Sequence, residues 1–210
     1  MAIPRLLDIV ILKLFFDLKT VGIYQAARSI FRLFEEGINA ANTLIYPALV
    51  KHFKSGNREE AYLITTKGIS FVFISFVAVS IVLPLGVSKL LITLFLKSSY
   101  LDSIYYFNIL LISSIFLPFF ISYFVLTAAD YHRTLLKNVG ISVGVSLGAY
   151  VIIGYSQSIE LIPLAYISFF ATLAVLNYNI MKKEIFKSLK IAFIFRAFED
   201  SLSFIRKKRG

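Results

Sequence analysis

The chain has 210 residues and a formal net charge of +10; 58% of its residues are apolar and only 16% are charged. A water-soluble domain of this length could not bury so much apolar surface, so the composition, with a mean hydropathy of +0.79, predicts an integral membrane protein. The sequence contains no cysteine, which excludes disulfide bonds, thiolate metal sites and a cysteine nucleophile.

The first predicted element, residues 1–18, is a partial span, because its apolar run from Leu6 to Phe16 is too short to cross a bilayer. This segment contains Asp8 and Lys13, whose charges are costly at membrane depth unless they face a cavity. The sequence leaves two interpretations open: the two side chains face such a cavity, or the segment is not embedded in the membrane.

The second predicted span, residues 20–53, is long enough to cross the membrane but carries several charges. At 100° per residue its polar side chains fall within one third of the helix circumference. They are Gln25, Arg28, Arg32, Glu35, Glu36, Asn39, Asn42, Thr43 and Tyr46. The pattern therefore predicts one polar face across the whole membrane.

Two interpretations of this face remain open. It lines an aqueous cavity, where arginine suits a phosphate and glutamate suits a coupling proton or cation. Alternatively, the charges form a structural ion-pair seam, or the helix lies partly outside the membrane. Arg28 with Glu35, and Arg32 with Glu35 or Glu36, have spacings of three, four or seven residues, which favour pairing along the helix.

Four further spans are predicted where the sequence is almost uncharged, at residues 60–85, 101–129, 134–156 and 160–183. Asn57 with Glu60 is typical of a helix start, and Pro84 ends the helix that follows. A short interfacial segment covers residues 87–97, Pro118 predicts a kink, and Pro163 suits a first helical turn. The predicted fold is an all-α polytopic transmembrane bundle over residues 1–183.

A repeat of small residues, Gly140, Gly144 and Gly148, predicts close packing between helices, with a hinge as the alternative. His52 and His132 lie in predicted loops and have no second ligand at metal-binding spacing. The sequence contains no phosphate-binding loop or HExxH motif. We therefore expect no enzymatic activity, no catalytic residue, no metal site and no cofactor.

The loop charges predict the topology. The loop at residues 51–60 has three basic residues and that at 130–137 has two, whereas 155–160 has none and 89–102 has two. Nine of the 22 Lys and Arg residues lie between Lys182 and Arg209. By the positive-inside rule, the first two loops and a basic tail over residues 184–210 face the cytoplasm beside anionic lipid. We expect a multi-pass plasma-membrane protein with no nucleic-acid partner.

Several local features occur together: Asp8 in the first helix, Val21-Gly22-Ile23-Tyr24 with Ala26 and Ala27, and Tyr46-Pro47-Ala48-Leu49 before a basic loop. Glu59-Glu60, the short segment Leu90 to Leu96 and Ile162-Pro163 follow in order. This pattern, over residues 5–185, resembles the second half of polysaccharide flippases of the multidrug/oligosaccharidyl-lipid/polysaccharide exporter superfamily. Leu164 stands where that family usually has glycine.

The resemblance implies the C-terminal lobe of a two-lobe transporter that flips lipid-linked oligosaccharide across the cell membrane by alternating access for polysaccharide export. The implied partners are a polyprenyl-diphosphate-linked sugar substrate, membrane lipid, and an N-terminal lobe outside these 210 residues. Family members line a central cavity with the first two helices and direct basic residues toward the diphosphate. The candidate cavity-lining residues are Asp8, Lys13, Gln25, Arg28, Arg32, Glu35, Glu36, Asn39 and Asn42.

Two other functions remain open from the residues. A lobe of a related drug or cation antiporter would line its cavity with acidic residues, for which Glu35 and Glu36 are candidates, although the arginines argue against a cationic cargo. A membrane scaffold without transport activity would use the same side chains as structural ion pairs.

Overall fold

The computed structural model of the chain describes the backbone of residues 3–96 and 98–187 and the side chains of residues 9–96 and 99–187. Within these residues the chain forms eight α-helices and no β-strand, which confirms the all-α prediction. The helices are α1 Ile3–Phe15, α2 Leu18–Lys54, α3 Arg58–Val82, α4 Val87–Phe95, α5 Ser103–Ser113, α6 Ile121–Ala128, α7 His132–Ser156 and α8 Ile162–Ile180. The predicted tail lies outside the described residues from residue 188 onward.

Three segments are long and apolar enough to cross a membrane: Arg58–Leu85, His132–Ser156 and Ile159–Ile185. A fourth is a broken pair, Ser103–Ser113 with Leu117–Ala128, bent by 52°. These helices identify a membrane protein. α2 is longer than any of them at 37 residues but carries more charge, so its crossing stays a prediction.

Capping side chains and prolines define the ends of the helices, and those at Asn57, Pro84 and Pro163 are as the sequence predicts. The Asn57 side chain accepts a hydrogen bond from the Glu60 backbone N–H at 3.2 Å and caps α3. Pro84 lies in the 3₁₀ turn that ends α3, and Pro163 lies in the first turn of α8. Asp17 caps α2 by accepting from the Thr20 N–H at 2.6 Å.

The bend between α5 and α6 occurs at the 3₁₀ turn Leu117–Phe120, which contains Pro118 as the sequence predicts. Serine hydroxyls satisfy backbone carbonyls on both sides of this break. Ser114 donates to the Leu111 carbonyl at 2.6 Å, and Ser122 donates to the Phe119 carbonyl. Side-chain donors of this kind help to satisfy the backbone of an interrupted helix at membrane depth.

The bundle has two distinct ends. At one, which we call the basic end, the end of α2, the start of α3, the loop between α6 and α7, and the segment after α8 line one cavity. At the opposite end Phe15 of α1 packs against Tyr155 of α7, with ring centroids 5.3 Å apart. The loops that share positive charge in the sequence therefore lie at the same end, as the predicted topology requires.

α7 packs against α8 through a buried stripe of small polar residues. Asn138 donates to Asn177 Oδ1 at 2.9 Å, and Ser146 donates to the Ala165 carbonyl at 2.7 Å. The three glycines Gly140, Gly144 and Gly148 lie exposed on another face, where no described atom is within 4 Å of a Cβ built on them. The prediction that these glycines mediate packing is therefore wrong within the described bundle.

Candidate functional site

The long helix α2 positions almost all of the predicted site residues. From Tyr24 to Asn42 its buried side follows an alternating spacing of four and three residues, and Leu49 continues the same row two turns later. This row comprises Tyr24, Arg28, Phe31, Glu35, Ile38, Asn42 and Leu49. Polar and apolar side chains alternate along it, so the interior face of α2 is not purely hydrophobic.

Arg28 and Glu35 form a buried cluster with Tyr166 of α8. The Tyr166 hydroxyl donates a hydrogen bond to Glu35 Oε1, and Arg28 Nη1 lies 3.8 Å from the same oxygen. The Arg28 guanidinium also lies over the Tyr166 ring, 3.7 Å from its centroid. All three side chains are less than one tenth exposed. The cluster neutralises a buried charge and fixes α2 against α8.

A second set of polar residues on α2 faces away from the bundle. We call Arg32, Glu36, Asn39 and Thr43 the outer strip. Arg32 Nε lies 3.5 Å from Glu36 Oε1, and their side chains are 63% and 53% exposed. Asn39 donates to Glu36 Oε2 at 3.3 Å. The outer strip is therefore an ordered polar surface open to whatever surrounds the bundle.

Contacts with α3 fix the depth of the outer strip. A Cβ built on Gly37 would lie 3.6 Å from the Phe76 ring, and one built on Gly68 would lie 2.8 Å from Ile45. Phe34 also packs edge-on against Phe76, with ring centroids 5.4 Å apart, so residues 34–45 of α2 run beside residues 68–76 of α3. Arg32 lies half a turn before Phe34, and α3 carries no charged residue from Gly68 to its end at Val82. The outer strip lies at the level of the apolar part of a membrane-spanning helix.

The prediction of a single polar face on α2 is wrong, because its residues divide between two sides of the helix. The predicted sector straddles the border between the packed and the open side of the helix, so its members divide. Arg28, Glu35 and Asn42 are buried, whereas Arg32 and Glu36 are exposed. A helical projection gives the angles between side chains but not the direction of the neighbouring helices, which decides their exposure. For Arg28 and Glu35 the packing favours the ion-pair seam.

The remaining candidates lie apart from both groups. Gln25 is partly buried near the start of the buried row, and Lys13 is exposed on α1. The side chain of Asp8 lies outside the described residues. Tyr46 packs edge-on against Phe124 of α6 at 5.7 Å and lines the cavity at the basic end. The structure therefore brings together Arg28 with Glu35, and Arg32 with Glu36 and Asn39.

The sequence analysis did not predict two parts of the polar interior. Tyr166 and the pair Asn138–Asn177 each lie in an apolar segment, where a single polar residue is the only available signal. Such residues in a span usually make hydrogen bonds between helices. Their partners could not be found because they are distant in sequence: 131 residues separate Glu35 from Tyr166.

No protein-family model, curated protein or solved structure matched the chain when it was compared with each of them. Within the described side chains, no group of three or more His, Asp or Glu residues is arranged to hold a metal ion. The chemistry available at the site is that of charge pairing and hydrogen bonding: a guanidinium, a carboxylate, an amide and a hydroxyl along one open helix face.

Proposed function

We propose that this chain is the C-terminal lobe of a transporter that flips a lipid-linked oligosaccharide across the plasma membrane, with the outer strip of α2 in the wall of the substrate cavity. The observation that carries the proposal is the Arg32–Glu36 pair. It is more than half exposed, yet Glu36 lies between Phe34 and Gly37, which both pack on Phe76 in the uncharged part of α3, and Arg32 is one turn before Glu36.

Contact between such a charged surface and lipid acyl chains is energetically unfavourable. A charged side chain at the centre of a membrane helix costs about 3 kcal/mol or more, and pairing recovers only part of that cost. The outer strip points away from the bundle interior, so its stabilisation requires water or a second protein body on that side. A cavity between two lobes of a transporter supplies both.

The residue types in the outer strip suit an anionic, sugar-bearing cargo. A guanidinium presents a planar pair of donors that matches two phosphate oxygens, so Arg32 is the candidate for the diphosphate. Glu36 neutralises Arg32 when no cargo is bound. Asn39 and Thr43 are a neutral amide and hydroxyl that can exchange hydrogen bonds with sugar hydroxyls.

The buried cluster supports this site without touching the cargo. Tyr166 and Arg28 hold Glu35 inside the bundle and so fix the rotation of α2. Arg32 and Glu36 then point outward, because each directly follows a buried residue of the same helix, Phe31 and Glu35 respectively. In this proposal Arg28 and Glu35 are positioning residues, and Arg32 is the cargo-binding one. The basic end then faces the cytoplasm by the positive-inside rule.

Complementation tests the function. The chain would be expressed together with an N-terminal lobe of the same superfamily in a host that lacks its own flippase, and surface polysaccharide would be quantified. We expect Arg32→Ala to lower export about tenfold, because a charge-assisted hydrogen bond to phosphate is lost. Lys67→Ala, which removes an exposed charge on α3, is the matched control and should export normally.

Two results would contradict the proposal. Export that is unchanged by Arg32→Ala, at equal protein abundance, would exclude that residue from cargo binding. If the chain instead makes its host resistant to toxic cations, and this resistance requires Glu36 but not Arg32, the chain is a lobe of an antiporter. A carboxylate attracts a cationic cargo, whereas a guanidinium does not.

A further inference from the structure

A cavity of about 460 Å³ lies at the basic end of the bundle, apart from the outer strip. Its walls come from the end of α2, the start of α3, the loop between α6 and α7, and the segment after α8. Three membrane-spanning segments begin or end at this level, at Arg58, His132 and Ile185. The cavity therefore lies where lipid headgroups meet the protein.

One wall of this cavity is apolar and aromatic. It is formed by Tyr46, Val50 and Phe53, which follow one another over about two turns of α2. Tyr46 is held edge-on by Phe124, and Phe53 is stacked on Phe186 at 6.2 Å. Rings fixed in this way form a preorganised surface for the glycerol and first acyl carbons of a lipid.

The rest of the lining carries both signs of charge. Lys54 and Arg58 supply two cations, and neither forms an ion pair with another described residue. Asp130 and Glu184 supply two carboxylates. Each carboxylate has one basic neighbour, His132 at 3.5 Å and Lys183 at 3.8 Å, which leaves other lone pairs free to accept hydrogen bonds.

We propose that this cavity binds the headgroup of a phosphoethanolamine lipid, with Lys54 and Arg58 on the phosphate and Asp130 and Glu184 on the primary ammonium. A singly anionic lipid would satisfy the cations and leave the carboxylates with only their present neighbours, His132 and Lys183. A choline headgroup would place three methyl groups where the carboxylates need N–H donors. This inference requires the cavity and a location in a membrane, and it does not depend on the proposed transport function.

Native mass spectrometry tests the site directly. The full chain would be extracted from vesicles containing equal parts of dioleoyl-phosphatidylethanolamine, -phosphatidylglycerol and -phosphatidylcholine, and the retained lipids would be identified. We expect phosphatidylethanolamine to be retained in preference, and Lys54→Ala with Arg58→Ala to lower its retention about tenfold by removing two charge-assisted hydrogen bonds. Lys51→Ala with Lys182→Ala removes two charges from the same end outside the cavity and should retain it normally.

A second variant separates the headgroup from general attraction to charge. Asp130→Asn with Glu184→Gln removes the ammonium partners and keeps the phosphate partners, so it should shift retention from phosphatidylethanolamine to phosphatidylglycerol. The proposal is overturned if the three lipids are retained equally by the unmodified chain, if the control loses as much as the Lys54 and Arg58 variant, or if removal of both carboxylates leaves the preference unchanged.

Discussion

At the scale of single residues, the buried cluster of Arg28, Glu35 and Tyr166 places two charged side chains in the interior of the bundle, where burial is energetically costly. Glu35 is 3% exposed and Arg28 is 8% exposed, so neither charge is solvated by water. The Tyr166 hydroxyl donates to Glu35, and the Tyr166 ring lies under the Arg28 guanidinium. A buried charge that loses its partner is far more costly than a buried pair replaced as a unit.

We therefore predict that Glu35→Leu lowers the free energy of unfolding by about 3–5 kcal/mol, because it removes the carboxylate that is paired with the buried Arg28. The double variant Arg28→Met with Glu35→Leu should recover most of that loss. Steric-trapping or thermal unfolding in a lipid-like detergent measures both. A double variant that is less stable than Glu35→Leu would show that the pair is not a coupled unit.

A second residue-scale prediction concerns pH. The hydrogen bond from the Thr20 backbone N–H lowers the pKa of Asp17, in the turn between α1 and α2, below its ordinary value of 3.8. A lowered pKa means that the carboxylate stabilises the start of α2 above the ordinary value and loses this effect as the pH falls through the lowered one.

The stability difference between the unmodified chain and Asp17→Asn should therefore shrink from about pH 5 to about pH 3, as the carboxyl becomes protonated. Asp17→Ala should be less stable than Asp17→Asn, because Asn still caps the helix and Ala does not. Melting temperatures at the two pH values measure this, and a difference that grows toward acid pH would contradict the assignment.

At the scale of helices, the α7 surface shows which features sequence patterns can and cannot reveal. Helix existence and ends were predictable because proline, glycine and capping residues act locally, as at Pro84, Pro163 and Asn57. The face of α7 that packs against α8 could not be predicted in this way. Glycines and small polar residues both permit close approach, and only the position of α8 selects the row Asn138, Ser142 and Ser146.

Two glycines of α7 give a matched test. Gly144→Ala should be neutral or stabilise by up to about 1 kcal/mol, because its surroundings are open and alanine favours helix. Gly154→Ala places a Cβ 2.5 Å from the Phe15 ring and should destabilise by about 1–3 kcal/mol by displacing α1. Thermal unfolding compares them. Equal effects would contradict the packing of α1 on α7.

At the scale of the whole molecule, the position of the basic loops at one end of the bundle was predictable from the sequence, and the site was predictable only in part. Loop charge is a property of the sequence, and the loops that share it lie at one end of the bundle. The exposure of Arg32 and the burial of Arg28 depend instead on how α2 is rotated among its neighbours. That rotation is set by contacts such as Glu35 with Tyr166, which no local pattern contains.

The topology makes a prediction for intact cells. Because the chain has no cysteine, single cysteines report their own accessibility against a clean background. Ser158→Cys, at the opposite end, should react with a membrane-impermeant maleimide from outside the cell. Ser55→Cys, at the basic end, should react only after the membrane is opened. The reverse pattern would invert the proposed orientation.

The central claim is that the outer strip faces water and not lipid, and cysteine labelling tests it most directly. Glu36→Cys and Thr43→Cys would be compared with Leu44→Cys, which is 80% exposed on the same helix but outside the strip. Thiols react with a charged, water-soluble reagent only where water reaches the thiolate. With both lobes present in the membrane, we predict fast labelling at positions 36 and 43 and about tenfold slower labelling at position 44, as a lipid-facing thiol stays protonated. Equal protection of all three positions would contradict a water-filled cavity on this face.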